Sequence, residues 1–226
     1  MSIKLVVFDM AGTTVRDDDF VAEAFMKAMN NYHYALTLEE VNPIMGYKKP
    51  VAIRMMLEKH EPDREKITDS LITAIHDDFV QEMLAFYRSS DKITPLPNAE
   101  KTFAALHDKG IKIGMNTGFS RDIADIIIER LNWQDKIDIL VASDEVEHGR
   151  PYPDMTKKMM EQFHITNPED VAKVGDTEVD INEGKNVGCS LIIGVTTGAF
   201  SREELESYKP TAIVDDLYEI VDLITA

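Results

Sequence analysis

The sequence predicts an α/β fold, a doubly wound Rossmann-like parallel sheet core into which an all-helical cap domain is inserted. Two observations lead there. From Asn98 onward, short apolar runs alternate with amphipathic helical stretches, as a series of βαβ units requires. Between the first strand and that region, residues 17–89 carry helical periodicity without a convincing strand. A chain of 226 residues with 44% hydrophobic content can bury a core of this kind and still carry an insertion. The expected division is therefore a core of residues 1–16 and 90–226 and a cap of residues 17–89.

The elements follow in order. IKLVVFD is a β-branched apolar run that stops at Asp9 before the turn residues AGTT, which suits a strand buried on both faces. DFVAEAFMKAMNNY, PVAIRMMLEKH and REKITDSLITAIHDDFVQEMLAFY supply the cap helices. The core then reads helix NAEKTFAALHDKG ending at Gly110, strand IKIGMN, helix SRDIADIIIERL and strand KIDILVA. Helix PDMTKKMMEQFH, strand DVAKVGD, helix EVDINEGKNVG and strand SLIIGV come next, and a last short strand and helix lie within TAIVDDLYEIVDLI. The cap is expected over the C-terminal edge of the sheet, where open α/β folds bind ligands.

Charge and composition narrow the partners. A formal net charge of -17 repels nucleic acid and anionic membrane surfaces, so an anionic ligand needs a locally positive pocket. The single cysteine, Cys189, allows no internal disulfide and fits a reducing compartment. IKLVVF is too short for a signal sequence, and no stretch reaches transmembrane length, so a cytoplasmic protein is expected.

Four strand ends present polar groups, and in a doubly wound sheet such ends converge on one crevice. The first carries Asp9, a carboxylate that can attack phosphorus, followed by Gly12 and Thr13 in a turn whose N–H groups can hold phosphate oxygens. Turn or capping duty is the ordinary alternative for an Asp in that place. The second carries Thr117, with Gly118 admitting a phosphate to the backbone and Ser120 the expected cap of the next helix. Arg150, on the Gly- and Pro-restrained loop HGRPYP, can stabilise a phosphorane-like transition state. Asp176 and Asp180 in VGDTEVD put two carboxylates on one side of a helix start, a pattern suited to Mg²⁺. Helix capping by Asp176 is the alternative reading there.

The order FDMAGTT, NTG, GRPYP and VGDTEVD resembles the four motifs of the haloacid dehalogenase superfamily from Asp9 to Asp180. The resemblance implies that Asp9 is a nucleophile forming an aspartyl-phosphate, that Thr117 and Arg150 assist it, and that Asp9, Asp176, Asp180 and the Ala11 carbonyl hold Mg²⁺. Phosphatases of the superfamily usually carry a second Asp where this chain has Ala11. The DMAGTT form is instead similar to the phosphonoacetaldehyde hydrolase group, in which a cap lysine forms a Schiff base to the aldehyde. IMGYKKPVAIR then puts Lys49 at the Schiff-base position, with Lys48 as its neighbour and Arg54 as the trailing basic residue at the substrate. Ala52, Asp19 and Phe119 stand where that group has histidine, cysteine and tyrosine, which implies a shifted substrate.

The expected function is thus Mg²⁺-dependent hydrolysis of a small phosphonate or phosphorylated metabolite. A phosphate monoester phosphatase without Schiff-base chemistry stays open as an alternative, as does a non-enzymatic phosphoacceptor or regulatory module. The group's habit of pairing through its caps implies a homodimer, for which AFMKAMNNYHY is the candidate face, although a Met-rich stripe also serves ordinary packing.

Overall fold

The computed structural model describes residues 2–225. Its first strand, β1 (Leu5–Asp9), is buried at every position, as an unbroken apolar run requires. The helices α1 (Phe20–Asn30), α2 (Leu38–Val41), α3 (Lys49–His60) and α4 (Asp69–Ser89) follow, with single 3-10 turns at Asn42–Ile44 and Arg64–Lys66. No strand lies among residues 17–89, in keeping with their periodicity. After them come α5 (Ala99–His107), β2 (Lys112–Thr117), α6 (Arg121–Leu131), β3 (Ile139–Ala142), α7 (Asp154–Gln162) and β4 (Val171–Gly175). The chain ends through α8 (Glu178–Val187), β5 (Leu191–Val195), α9 (Arg202–Ser207), β6 (Ala212–Val214) and α10 (Glu219–Thr225).

All six strands pair in parallel in the order β3-β2-β1-β4-β5-β6. The winding reverses at β1, so the crevice at its carboxyl end lies where open α/β sheets take their ligands. Alternate residues of β1 serve the two faces of the sheet. Val6 and Phe8 pack with Phe103 of α5, Ile127 of α6 and Ile220 of α10. Leu5 and Val7 pack with Met155 and Met159 of α7 and Val187 of α8. The first of these cores runs on without a break into the inserted helices through Phe25, Ile53 and Phe79, and α4 packs on α6.

Three local features differ from the sequence reading. The short helices α2 and α9 escape the periodicity test, and each is opened instead by a capping box, Thr37 with Glu40 and Ser201 with Glu204. The REKITD stretch is not continuous with α4. Thr68 turns extended there, and its hydroxyl accepts the Leu71 N–H at 3.1 Å to start the helix afresh. Ser120 stands before α6 but makes no capping bond, and the Arg121 N–H donates to Asp144 at 3.0 Å. No helix among the described residues is long and apolar enough to cross a membrane.

Candidate active site

Parallel pairing sets the ends of β1, β2 and β4 side by side, with Asp9 in register with Asn116, one residue before Thr117. Asp9, Asp176 and Asp180 are all buried and offer oxygens within 4.8 Å of one another. Three carboxylates that close repel strongly unless cations attend them. Arg150 attends two: its Nη1 lies 2.6 Å from Asp9 Oδ1 and 2.5 Å from Asp180 Oδ1. Lys173 Nζ adds a contact at 3.0 Å to the same Asp180 oxygen. Burial favours the neutral acid, but Arg150 and Lys173 outweigh it and hold Asp180 at about 2. At Asp9, burial prevails over Arg150 and pushes the carboxyl above its ordinary value.

Asp176 is the acid without a basic partner among the described residues. Its Oδ1 accepts from the Thr13 hydroxyl at 2.7 Å and its Oδ2 from the Ala199 N–H at 2.8 Å. Burial, then the negative charges of Asp9 and Asp180, push it up to about 8. An all-oxygen donor set with one uncompensated buried carboxylate fits a hard divalent cation such as Mg²⁺. Asp176 does not cap α8. Thr177 does so with Asp180, whose Oδ2 accepts the Thr177 hydroxyl at 2.6 Å.

The turn after Asp9 is built differently from the expectation that Gly12 and Thr13 offer N–H groups to a phosphate. The Gly12 N–H donates to the Val15 carbonyl at 2.9 Å and that of Thr13 to Met10 at 3.2 Å, so both are consumed within the turn. Gly12 has a different use. It sits at φ 82°, and a Cβ there would stand 2.6 Å from Asp176 Oδ2, so only glycine lets the two strand ends approach. Ala11 lines the pocket, as do Thr117 and Gly118. Thr117 is buried, and its hydroxyl accepts the Phe119 N–H at 3.2 Å.

The segment before α3 closes over these strand ends. Arg150 Nε donates to the Gly46 carbonyl at 3.1 Å, and a Cβ on Gly118 would stand 2.7 Å from the Tyr47 carbonyl oxygen. A pocket of about 610 Å³, mouth included, lies beneath, lined by Asp9, Asp17, Lys49, Thr117, Arg150 and Asp176 among others. Lys49 is only 2% exposed, with Nζ donating to the Tyr47 carbonyl at 3.4 Å. Its ammonium rests 5.8 Å from the Phe119 ring centre and 5.9 Å from that of Phe79. Burial, then Arg150, bring it down to about 8. Lys48 is turned to the core loop, donating to the Val146 carbonyl at 3.3 Å.

Arg54 is not part of this assembly. Five residues beyond the pocket-lining Lys49 on α3, it is exposed, and its Nη2 pairs with Asp69 at 2.6 Å on the outer surface. The sequence reading also missed a buried polar group beneath the acids. Lys173 contacts Asn116 Oδ1 at 2.8 Å and Glu183 at 3.2 Å, while Asn116 and Thr156 both donate to Glu183. The available signal was a lysine within VAKVG, a charge inside an otherwise apolar central strand.

Fold and site together put the chain among doubly wound enzymes whose chemistry depends on carboxylates at strand ends. A sequence model described as haloacid dehalogenase-like hydrolase matches residues 3–188, and the chain belongs to that hydrolase family. It is 34% identical over 217 residues to the phosphonoacetaldehyde hydrolase of Bacillus cereus (strain G9842), covering 92% of this chain and 82% of that protein. The fold is shared with a phosphonoacetaldehyde hydrolase-like protein from Oleispira antarctica (TM-score 0.83, 23% identity, 100% and 92% of the two chains). It is shared too with a hydrolase from Pseudomonas syringae (TM-score 0.86, 19% identity, 98% of each chain). Family membership makes the chain an enzyme and sets aside the phosphoacceptor signalling alternative.

Proposed function

We propose that the chain is a Mg²⁺-dependent hydrolase that acts through an aspartyl-phosphate on Asp9, with phosphonoacetaldehyde or a related aldehyde phosphonate as substrate. The observation that carries this reading is the burial of Lys49 in the pocket that also contains Asp9, with its amine brought down to about 8. An amine so placed is neutral in roughly one molecule in ten at pH 7, enough to form an imine with an aldehyde.

In this reading Asp9 attacks phosphorus and Arg150 keeps it oriented while countering the charge that develops. Thr117 hydrogen-bonds a phosphoryl oxygen. Asp9, Asp176, Asp180 and the Ala11 carbonyl hold Mg²⁺, which when bound neutralises phosphoryl charge as a Lewis acid. As the P–C bond breaks, its electron pair flows into the iminium on Lys49 to give an enamine, so Ala11 need supply no proton. Water then hydrolyses the acyl-phosphate to phosphate and free Asp9, while the enamine takes a proton at carbon and a second water hydrolyses the resulting iminium, releasing the aldehyde product and the Lys49 amine. Residues 17–89 act as a cap domain on a core of residues 1–16 and 90–226. The protein works in the cytoplasm. Phe25, Ala28 and Met29 of the AFMKAMNNYHY stripe are buried in the chain's own core, which favours internal packing over a dimer face for that stripe.

Ala52, Asp19 and Phe119 favour a competing reading, hydrolysis of a phosphate monoester without an imine. Borohydride separates the two. With phosphonoacetaldehyde present, the imine reading requires irreversible inactivation and reductive labelling of Lys49. A simple phosphatase is untouched by borohydride and retains ester hydrolysis after Lys49→Ala.

A further inference from the structure

The pocket contains an acid with no part in the chemistry above. Asp17 lines it beside Lys49 and Asp9, in the loop between β1 and α1. One of its oxygens accepts the Val21 N–H at 3.2 Å, which anchors the carboxyl to the first turn of α1. Lys49 lines the same pocket from α3, close enough for each charge to act on the other, and no ion pair joins the two. The titratable groups facing Asp17 are Lys49, Asp19 from its own loop, and the neutral phenol of Tyr87 on α4, itself raised chiefly by burial and then by Asp17 and Asp9. Asp19, which also lines the pocket, is exposed, whereas Asp17 is half-buried.

We propose that Asp17 is the proton carrier of imine formation, taking a proton from the Lys49 ammonium and returning it to the hydroxyl that leaves as water. This rests on the reading of Lys49 as the imine-forming residue. The freed amine attacks the aldehyde carbon and the carbonyl pair moves to oxygen. Proton transfer from nitrogen to that oxygen gives a neutral carbinolamine. Asp17, now the acid, protonates the hydroxyl. The C–O bond breaks, water departs with the pair, and the nitrogen lone pair forms the C=N bond. Ammonium and aldehyde thus become iminium and water, and Asp17 ends as the carboxylate beside the new cation.

Burial makes this exchange feasible. An ordinary carboxyl and ammonium lie about six pH units apart, so proton transfer between them is populated on the order of once in a million. Here burial pushes Asp17 up to about 6 and Lys49 down to about 8, a gap of about two, or once in roughly a hundred.

The test is the rate of borohydride trapping of Lys49 with phosphonoacetaldehyde, measured against pH for the full chain and for Asp17→Asn and Asp17→Glu. Asparagine preserves an acceptor for the Val21 N–H but carries no titrating proton. The native protein should give a bell with limbs near 6 and 8. Asp17→Asn should trap about 10²–10⁴-fold more slowly and lose the limb near 6. Asp17→Glu should restore that limb at a reduced rate, an outcome that loss of folded protein alone cannot produce. Trapping by Asp17→Asn at the native rate with the limb intact, or an Asp17→Glu profile without that limb, overturns the proposal. Native protein that borohydride does not label overturns the imine reading itself and the proposal with it, a result distinct from the other two.

Discussion

Arg150 Nη1 lies 2.6 Å from Asp9 Oδ1, and the same nitrogen touches Asp180 while Nε spans to the Gly46 carbonyl. One guanidinium therefore balances two buried acids and ties the core loop to the segment before α3. Arg150→Ala should leave both acids unattended and destabilise the fold by about 3–5 kcal/mol in thermal or denaturant unfolding. Arg150→Lys preserves the charge but not the fork, so it should lose activity by about 10²-fold or more with a smaller drop in melting temperature.

Asp176 gives the metal-free protein a pH dependence of definite sign. Its carboxyl is raised from 3.8 to about 8 on folding, so the folded state binds the extra proton between those values. Stability from this group is complete below the unfolded value and is lost as pH rises through the folded one. In EDTA the melting temperature should fall from mildly acidic pH to pH 8, and Asp176→Asn should flatten that slope. Mg²⁺ should restore the native protein at pH 8 and leave Asp176→Asn unmoved.

Lys49 has the opposite dependence. Its amine falls from 10.5 to about 8, so its stability is present above the unfolded value and is lost as pH falls through the folded one. Near neutral pH Lys49→Met should therefore melt higher than the native chain. Turnover of an aldehyde phosphonate should drop by more than about 10³-fold if the proposed imine on Lys49 is the electron sink.

Gly118 marks where the closing segment meets the core. A Cβ there would crowd the Tyr47 and Gly46 carbonyl oxygens at 2.7 and 3.0 Å. Gly118→Ala should hold the segment off and lower kcat/KM about tenfold or more, chiefly through positioning. Unfolding should change far less.

Arg54→Ala should leave kcat/KM unaltered. Its exposed pair with Asp69 belongs to a class worth about 0–1 kcal/mol, and it does not line the pocket.

The sheet was legible because parallel strands buried on both faces are mostly apolar runs, as LVVF and LIIGV are. Asp9 and Asp176 were legible because each ends such a run, and Asp180 because it follows Asp176 by four residues at the start of α8. What periodicity could not reveal were features settled by single polar contacts. Thr37, Thr68 and Ser201 place helix starts through their hydroxyls, and the turn after Asp9 consumes the Gly12 and Thr13 amides within itself. Lys173 and Glu183 were hidden because Asn116, which bonds both, lies 57 and 67 residues away along the chain, and only folding shows that each charge is matched. Asp17 was hidden for a related reason. A carboxylate in a polar loop looks solvated until α3 and α4 close over it.

The most direct test of the account is mass spectrometry of acid-quenched protein after a single turnover of phosphonoacetaldehyde with Mg²⁺. The account predicts a phosphoryl group on the peptide bearing Asp9, absent without the metal and absent in Asp9→Asn, which should not turn over. Undiminished hydrolysis by Asp9→Asn, with no phosphorylated peptide at any quench time, would contradict it.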